Sequence, residues 1–386
     1  MEEKGVYKNL ISLLKGHFTG NKENIGDITD EKLSLLFSVA KKHDILGIVA
    51  SELIEKGYID KNTSGYSAFS KALFIDFARY ERINYDKEEL YAIFSENKIY
   101  FIPLKGVVLR EYYPVKELRT SADIDILIDK KDVKSALLAL KEKGYKVGKL
   151  AEHDVSVESP SETGIELHYR LLERDVKTEK LLSDVFITSK KDGYRLTLSD
   201  KDFLLFYMAH TVKHFLEGGC GIRSVLDAYV IKNKMGINYE DYRDVLEKAG
   251  LYIFTKEFYR LVSVWFNGEK YDDKIEVLED FIIRGGVYGN TEQRVKIGTA
   301  NKKSGFKYFL SRVFMPLERM KGTNSYPILN KAPYLYPFCL VHRWFKILFG
   351  KGRKKAKREL EITKNLKSEE KEKIQKMLES VGLNKK

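Results

Sequence analysis

The spacing of apolar positions changes period twice along this chain. Between residues 6 and 97 it is helical: Leu33, Leu36, Ala40, Ile45, Ile48 and Leu53 recur at intervals close to one turn. The pattern predicts helices over 7–14, 30–56 and 67–97, the second opening at Thr29-Asp30-Glu31-Lys32, where the threonine suits an N-cap. From residue 99 the period shortens. Strands are predicted near 99–104, 122–128, 145–147, 154–158 and 164–171, with a helix over 130–143 that Gly144 stops. Residues 194–198 read either as a last strand or as the lead-in to a helix, because Ser199 and Asp202 resemble a capping box with aspartate in the usual glutamate place. From 200 to 350 the period is helical again, broken at Gly218-Gly219, at Gly285-Gly286 and at Pro316, Pro327, Pro333 and Pro337. The expected fold class is therefore α+β. A small mixed-sheet core over 99–198 is flanked by helical regions over 1–98 and 199–350, and a basic helical tail covers 351–386.

The strands carry polar residues where the alternation makes them informative. Asp123 and Asp125 flank Ile124, so both carboxylates project from one strand face while Ile124 and Ile126 turn to the core. Two such charges repel, and a hard divalent cation relieves them. A solvated strand face is the plainer alternative, and on the Asp-x-Asp alone the two readings stand level. Upstream, an apolar strand runs into Lys105-Gly106 and a short helical stretch from Val107 to Tyr113. A glycine at such a turn lets backbone amides approach a phosphate, the helix start adds partial positive charge, and Lys105 adds a full one. Downstream, Glu166 and His168 share one strand face and Ile165 and Leu167 the other. Phosphate cradle, paired aspartates and a later carboxylate are the parts of two-metal nucleotidyl transfer, in which two Mg²⁺ ions about 4 Å apart activate a hydroxyl and offset charge on the leaving pyrophosphate. Arg119, four residues before Asp123, suits bidentate contact with phosphate oxygens, or neutralises the aspartates in the absence of metal.

Lys105-Gly106, Tyr113-Pro114, Arg119, Asp123-Ile124-Asp125 and Ile165-Glu166-Leu167-His168 together resemble the signature of the uncharacterised bacterial nucleotidyltransferase family, a branch of the polymerase-beta-like nucleotidyltransferase superfamily. His210 and His214 with Arg223 through Asp227 are similar to that family's helical segment, and Tyr326-Pro327 through His342-Arg343 to its C-terminal segment, so the resemblance runs from about residue 30 to about 350. It implies the fold and a reaction class: transfer of an NMP from an NTP to a hydroxyl with release of pyrophosphate. The acceptor stays open between a small molecule, a protein side chain and an RNA end. On this resemblance Asp123 and Asp125 bind both metal ions, Mg²⁺ with Mn²⁺ as the substitute. Glu166 holds the catalytic ion, and Lys105, Gly106 and Arg119 hold the triphosphate. One departure stands out: Val107 follows the cradle glycine where better-known superfamily members carry serine or a second glycine. It leaves room for a second reading, a nucleotide- or metal-binding module without turnover.

His210 and His214 are four apart on a helix, at metal-ligand spacing, yet no third His or Cys ligand accompanies them. They read instead as flanking the acceptor pocket or capping carbonyls. Asp227 sits among Val225, Leu226, Ala228, Val230 and Ile231, where a buried acid needs a partner, with Arg223 or one of the histidines expected to serve. These three are acceptor-side candidates on a wall built from 200–350, and His168, on its strand of the core, is a fourth.

Charge adds a third reading. Of the net +12, +7 lies in residues 351–386, which carry thirteen Lys and Arg against six Glu. Contact with nucleic acid or an anionic surface, as in a nucleic-acid-associated scaffold, is the sharp interpretation, and a solvated basic terminus the preferred one, since the rest of the chain is only mildly basic. The stretch 333–349 is the most apolar. It is expected to pack as an amphipathic helix over the catalytic core, with a membrane surface as the alternative. Two cysteines, Cys220 and Cys339, argue against a disulfide framework, no apolar run approaches the ~20 residues of a membrane span, and the acidic start has no signal-peptide pattern. The expected compartment is the cytoplasm.

Overall fold

The computed structural model describes residues 2–150, 153–172, 176–287, 289–302, 305–321, 325–349 and 352–384. The chain divides into two compact units, one of residues 1–211 with 221–271, the other of 212–220 with 272–386. The expected boundaries at 98 and 198 fall inside the first unit, where helix and strand alternate, and the one at 350 falls inside the second, between two helices.

The first unit opens with helices α1 (Glu2–Thr19), α2 (Asp30–Lys42), α3 (Leu46–Glu55) and α4 (Tyr66–Glu96). The Thr29 hydroxyl caps α2 by accepting from the Lys32 amide at 3.3 Å. The single helix expected over 30–56 is broken at His43-Asp44-Ile45, where Asp44 has φ +52°. The break is made by distant partners. The Thr120 hydroxyl lies 2.8 Å from both the carbonyl and the carboxylate of Asp44, Arg223 pairs with that carboxylate at 2.6 Å and Arg79 at 3.2 Å, and His43 Nδ1 accepts from the Ile222 amide at 3.0 Å.

Among the described residues seven strands follow: β1 (Phe101–Pro103), β2 (Asp123–Ile128), β3 (Lys146–Leu150), β4 (Asp154–Glu158), β5 (Gly164–His168), β6 (Lys190–Asp192) and β7 (Arg195–Thr197). They form one mixed sheet in the order β3-β4-β5-β2-β1-β7-β6, with β2 parallel to β5 and antiparallel to β1. Residues 194–198 thus supply a strand. Its hairpin partner β6 was invisible to periodicity because Lys190-Lys191-Asp192 offers no apolar position and is fully exposed. Ile124, Ile126, Ile128, Ile165 and Leu167 join Ile83, Leu90 and Phe94 of α4 and Ala136 and Leu140 in one core. Here α5 is the single turn Gly106–Leu109 and α6 is Val133–Glu142. Strand alternation leaves the other sheet face to Asp123, Asp125, Glu166 and His168.

Short helices α7 (Val176–Leu181) and α8 (Val185–Thr188) lead to α9 (Asp200–Leu216), α10 (Ile222–Asn233), α11 (Arg243–Ala249) and α12 (Tyr252–Asn267). The capping box before α9 is half made. Ser199 Oγ accepts from the Asp202 amide at 3.3 Å, but the Asp202 carboxylate takes the hydroxyls of Ser199 and Thr188 at 2.7 and 2.6 Å.

The second unit contains α13 (Asp273–Gly285), α14 (Thr291–Asn301), α15 (Gly305–Val313), α16 (Leu317–Lys321), α17 (Tyr336–Phe349), α18 (Gly352–Asn365) and α19 (Ser368–Ser380). Gly219, at φ +125°, packs so closely on Gly285 that an added Cβ would lie 3.0 Å from its Cα. The basic tail is not a loose terminus: Ile374, Met377 and Leu378 are buried as α19 packs on α13 and α14, and Glu359 of α18 receives Arg294 at 2.8 Å and Arg312 at 3.3 Å. Helix α17 buries one face on Met315, Met320, Tyr326 and Leu329 within its own unit. No helix among the described residues is long and apolar enough to cross a membrane.

Candidate active site

The parallel register of β2 and β5 sets Asp125 opposite Glu166 and Leu127 opposite His168. Ligand-capable atoms of Asp125, Glu166 and His168 therefore lie within 4.8 Å of one another. His168 Nε2 is 3.0 Å from Asp125 Oδ1 and 3.4 Å from Glu166 Oε2. Lys105 closes the group from the third strand. The turn after β1 is tied to β2 by the Leu104 amide, which donates to the Asp125 carbonyl at 3.0 Å, and this brings Lys105 Nζ to 2.7 Å from Asp125 Oδ1. Lys105 occupies an unusual backbone position to do so, at φ +46°.

The two aspartates differ sharply in electrostatics. Burial alone would raise the Asp125 carboxyl, but Lys105 and the hydrogen bond from His168 outweigh it and hold it far below the usual carboxylate range. Asp123 is pushed up to about 6, by burial first and then by repulsion from Asp125 and Glu166, which Lys105 and Arg223 offset only in part. Burial opposes charge on Lys105, yet Asp125 outweighs it and raises the ammonium above its ordinary value. His168 is raised likewise by Asp125 and Glu166 against its own burial. Its Nδ1 is buried without a hydrogen-bond partner among the described residues. Crowded carboxylate oxygens with one imidazole form a donor set that suits a divalent cation, and the repulsion felt by Asp123 is what such a cation would relieve.

Gly106 is a glycine here for a reason the sequence did not suggest. Its φ is not positive; an added Cβ would instead stand 2.5 Å from Nη1 of Arg119 and 3.2 Å from the Ser121 Cβ. Arg119 does not face the carboxylate cluster with its polar atoms. Its Nε and Nη2 bind Asp227 at 3.2 and 2.7 Å, and its Nη1 donates to the Thr120 carbonyl at 3.0 Å. The Tyr113 hydroxyl donates to Asp227 Oδ1 at 2.6 Å. The expected partners of Asp227, Arg223 or a histidine, are thus replaced by Arg119 and Tyr113, more than a hundred residues away in sequence. Arg223 is drawn instead to Asp44.

His210 lies on α9 with its ring 6.1 Å from that of Phe206, and Lys105 Nζ stands 5.9 Å from the same Phe206 ring. His214 belongs to the second unit, on the last turn of α9. Asp44, Thr120 and Arg79 escaped the sequence reading as members of the polar network that holds Arg223, whose charge reaches Asp123, and Arg223 was read as a partner for Asp227. One signal was present: the step from Ala40 to Ile45 is five residues, off the helical repeat, and marks the break at which Asp44 sits.

Residues 29–267, well over half of the chain, match the model of a family described as uncharacterised nucleotidyltransferase. Every site residue from Lys105 to Asp227 falls inside this match. It ends at Asn267, so the segment from Tyr326 to Arg343 lies outside it and the expected reach to residue 350 is shortened. No curated protein and no solved structure matches the chain.

Proposed function

Taking as premise that the chain belongs to the uncharacterised nucleotidyltransferase family, we propose that it transfers a nucleoside monophosphate from an NTP to a hydroxyl acceptor, releasing pyrophosphate, on the sheet face of β2 and β5. The observation that carries this reading is the convergence of Asp125, Glu166 and His168 within 4.8 Å, beside an Asp123 whose charge is only partly compensated. Asp123, Asp125 and Glu166 would hold Mg²⁺ or Mn²⁺, and bound ions of this kind supply an activated hydroxyl and charge neutralisation on the triphosphate. His168 positions Asp125 by hydrogen bonding its Oδ1. Lys105 neutralises Asp125 and has two further ammonium protons to offer a phosphate oxygen. Arg119, bound on three sides, acts by holding the loop that enters β2 rather than by gripping phosphate. Arg223, whose charge reaches Asp123, is the stronger phosphate-side candidate. Of the helical acceptor-side candidates, His210 is linked to Lys105 through the Phe206 ring, whereas Asp227 is committed to Arg119 and Tyr113.

The alternative of binding without turnover rested on Val107. That residue is buried in the apolar core under the sheet, so a serine hydroxyl there would meet aliphatic side chains and not a phosphate. The departure therefore does not weaken the catalytic reading. The test is titration of the full chain with each NTP in Mg²⁺ and in Mn²⁺, followed by pyrophosphate release and transfer of α-phosphate label to candidate hydroxyls. Binding of at least one NTP that Asp125→Asn abolishes is expected; absence of metal-dependent binding for every NTP would overturn the proposal.

A further inference from the structure

Helix α17 is pinned on one side and bare on the other. Its inner side is held by Leu340 in the core and by hydrogen bonds from the Trp344 indole and an Arg343 Nη to the carbonyls of Val313 and Arg312, each 2.8 Å. Its outer side exposes Phe338, Phe345 and Phe349 at 73%, 58% and 78% of their surface, together with Val341. At 3.6 residues per turn those three rings fall within about 40° of arc, so they form one stripe. Phe345 and Phe349 stack on each other at 5.8 Å. Isolated exposed aromatics need no explanation, but a continuous aromatic row on a helix anchored from behind marks a contact surface.

Charge identifies the occupant. From Arg319 to Arg358 the chain carries eleven lysines and arginines and no acid. Lys346 is exposed on α17, and α18, which packs against α17, exposes Arg353, Lys354, Lys357 and Arg358. Acidic residues return at Glu359, which faces inward to Arg294 and Arg312. An apolar stripe bordered by lysines and arginines is complementary to a surface that is negative outside and hydrocarbon within. A second copy of the chain would bring the same positive charges together, and the bases of a nucleic-acid duplex, already stacked on one another, are closed to the phenylalanine row. We infer that α17 and α18 form a peripheral docking surface for an anionic lipid bilayer, with the phenylalanines entering the headgroup boundary and the lysines and arginines meeting lipid phosphates. This surface lies outside residues 29–267 and is independent of the transfer reaction.

The test is flotation of the full chain with vesicles of phosphatidylcholine alone or with 30% phosphatidylglycerol, in roughly physiological salt. Retention is expected on the anionic vesicles only and declines as salt is raised. Phe345→Glu with Phe349→Glu, and separately Lys354→Glu with Lys357→Glu, should each weaken retention at least about tenfold. All four positions are exposed, and unchanged melting temperatures check that the variants remain folded. Failure to float with either vesicle overturns the inference. So does retention that neither pair of substitutions alters, salt-sensitive RNA binding indifferent to the phenylalanine variants with no vesicle retention, or a dimer that the phenylalanine variants dissolve with no vesicle retention.

Discussion

Two buried acids of the first unit, Asp227 and Asp125, show how differently one kind of side chain can be used. Around Asp227 the account closes: a bidentate guanidinium and a phenol satisfy the carboxylate, and the third edge of the same guanidinium is taken by a carbonyl. Around Asp125 it does not. Lys105 and His168 compensate that carboxylate, yet Asp123 and Glu166 add further negative charge on the same sheet face. The first arrangement is a clamp joining the loop before β2 to α10. The second has the incomplete compensation expected of a site that receives a charged ligand.

The comparison breaks most directly at the clamp. Asp227→Ala leaves the Arg119 guanidinium buried without a counter-ion, and a loss of about 3–5 kcal/mol in urea unfolding is expected. A loss under about 1 kcal/mol would mean that solvent reaches the pair and that the contrast drawn here is wrong.

Next in size come the two aspartates of β2, whose replacement by asparagine should act in opposite directions. Asp125→Asn strips Lys105 and His168 of their shared acceptor charge and should cost about 1–3 kcal/mol in metal-free buffer. Asp123→Asn removes repulsion and should leave stability unchanged or raise it by up to about 1 kcal/mol. Melting temperatures with and without Mg²⁺ check both, and Mg²⁺ should stabilise the parent chain more than either variant. Equal destabilisation by the two substitutions would point to a structural ion-pair role for the whole cluster.

Arg119→Lys sharpens the distinction between clamp and phosphate grip. Loss of bidentate geometry should lower stability by about 1–2 kcal/mol while NTP affinity in the folded variant stays within about threefold of the parent. Arg223→Lys should show the reverse weighting, with NTP affinity falling more than stability.

The smallest effect concerns a third buried acid. Asp76 accepts the Gly47 amide at 3.1 Å and is pushed up to about 6, by burial first and, against help from Arg79, by the nearby charge of Asp44. Because its folded value lies above its unfolded one, its stabilising contribution is complete below about pH 4 and is lost as the pH rises through 6. Asp76→Asn, which keeps an acceptor for Gly47, should therefore melt higher than the parent at pH 8 by an amount equivalent to about 1 kcal/mol, and the gain should vanish near pH 4. A gain independent of pH would assign the effect to packing.

Much of the layout of the candidate site is legible in the sequence. Alternation along 123–128 and 164–168 set Asp123 with Asp125, and Glu166 with His168, on shared faces, because a strand leaves a side chain only two directions. The cap at Thr29 and the stop at Gly144 were equally local and equally readable. What the pattern missed had no local signal. Strand β6 has no apolar residue, so only its hairpin with β7 makes it a strand.

Identity and order of residues determined which faces are apolar, where the acids sit on them, and how positive charge is concentrated toward the C-terminus. These follow from backbone periodicity and from counting, both of which act within a few residues. Tertiary structure alone decided the partners: that Asp227 binds Arg119 and Tyr113 and not Arg223, that Asp44 interrupts a helix to bind Thr120, Arg79 and Arg223, and that Gly106 makes room for a guanidinium. A buried charge binds whichever opposite charge or donor the packing brings within reach, and the sequence spacing of 108 residues between Arg119 and Asp227 carries no trace of their 2.7 Å contact.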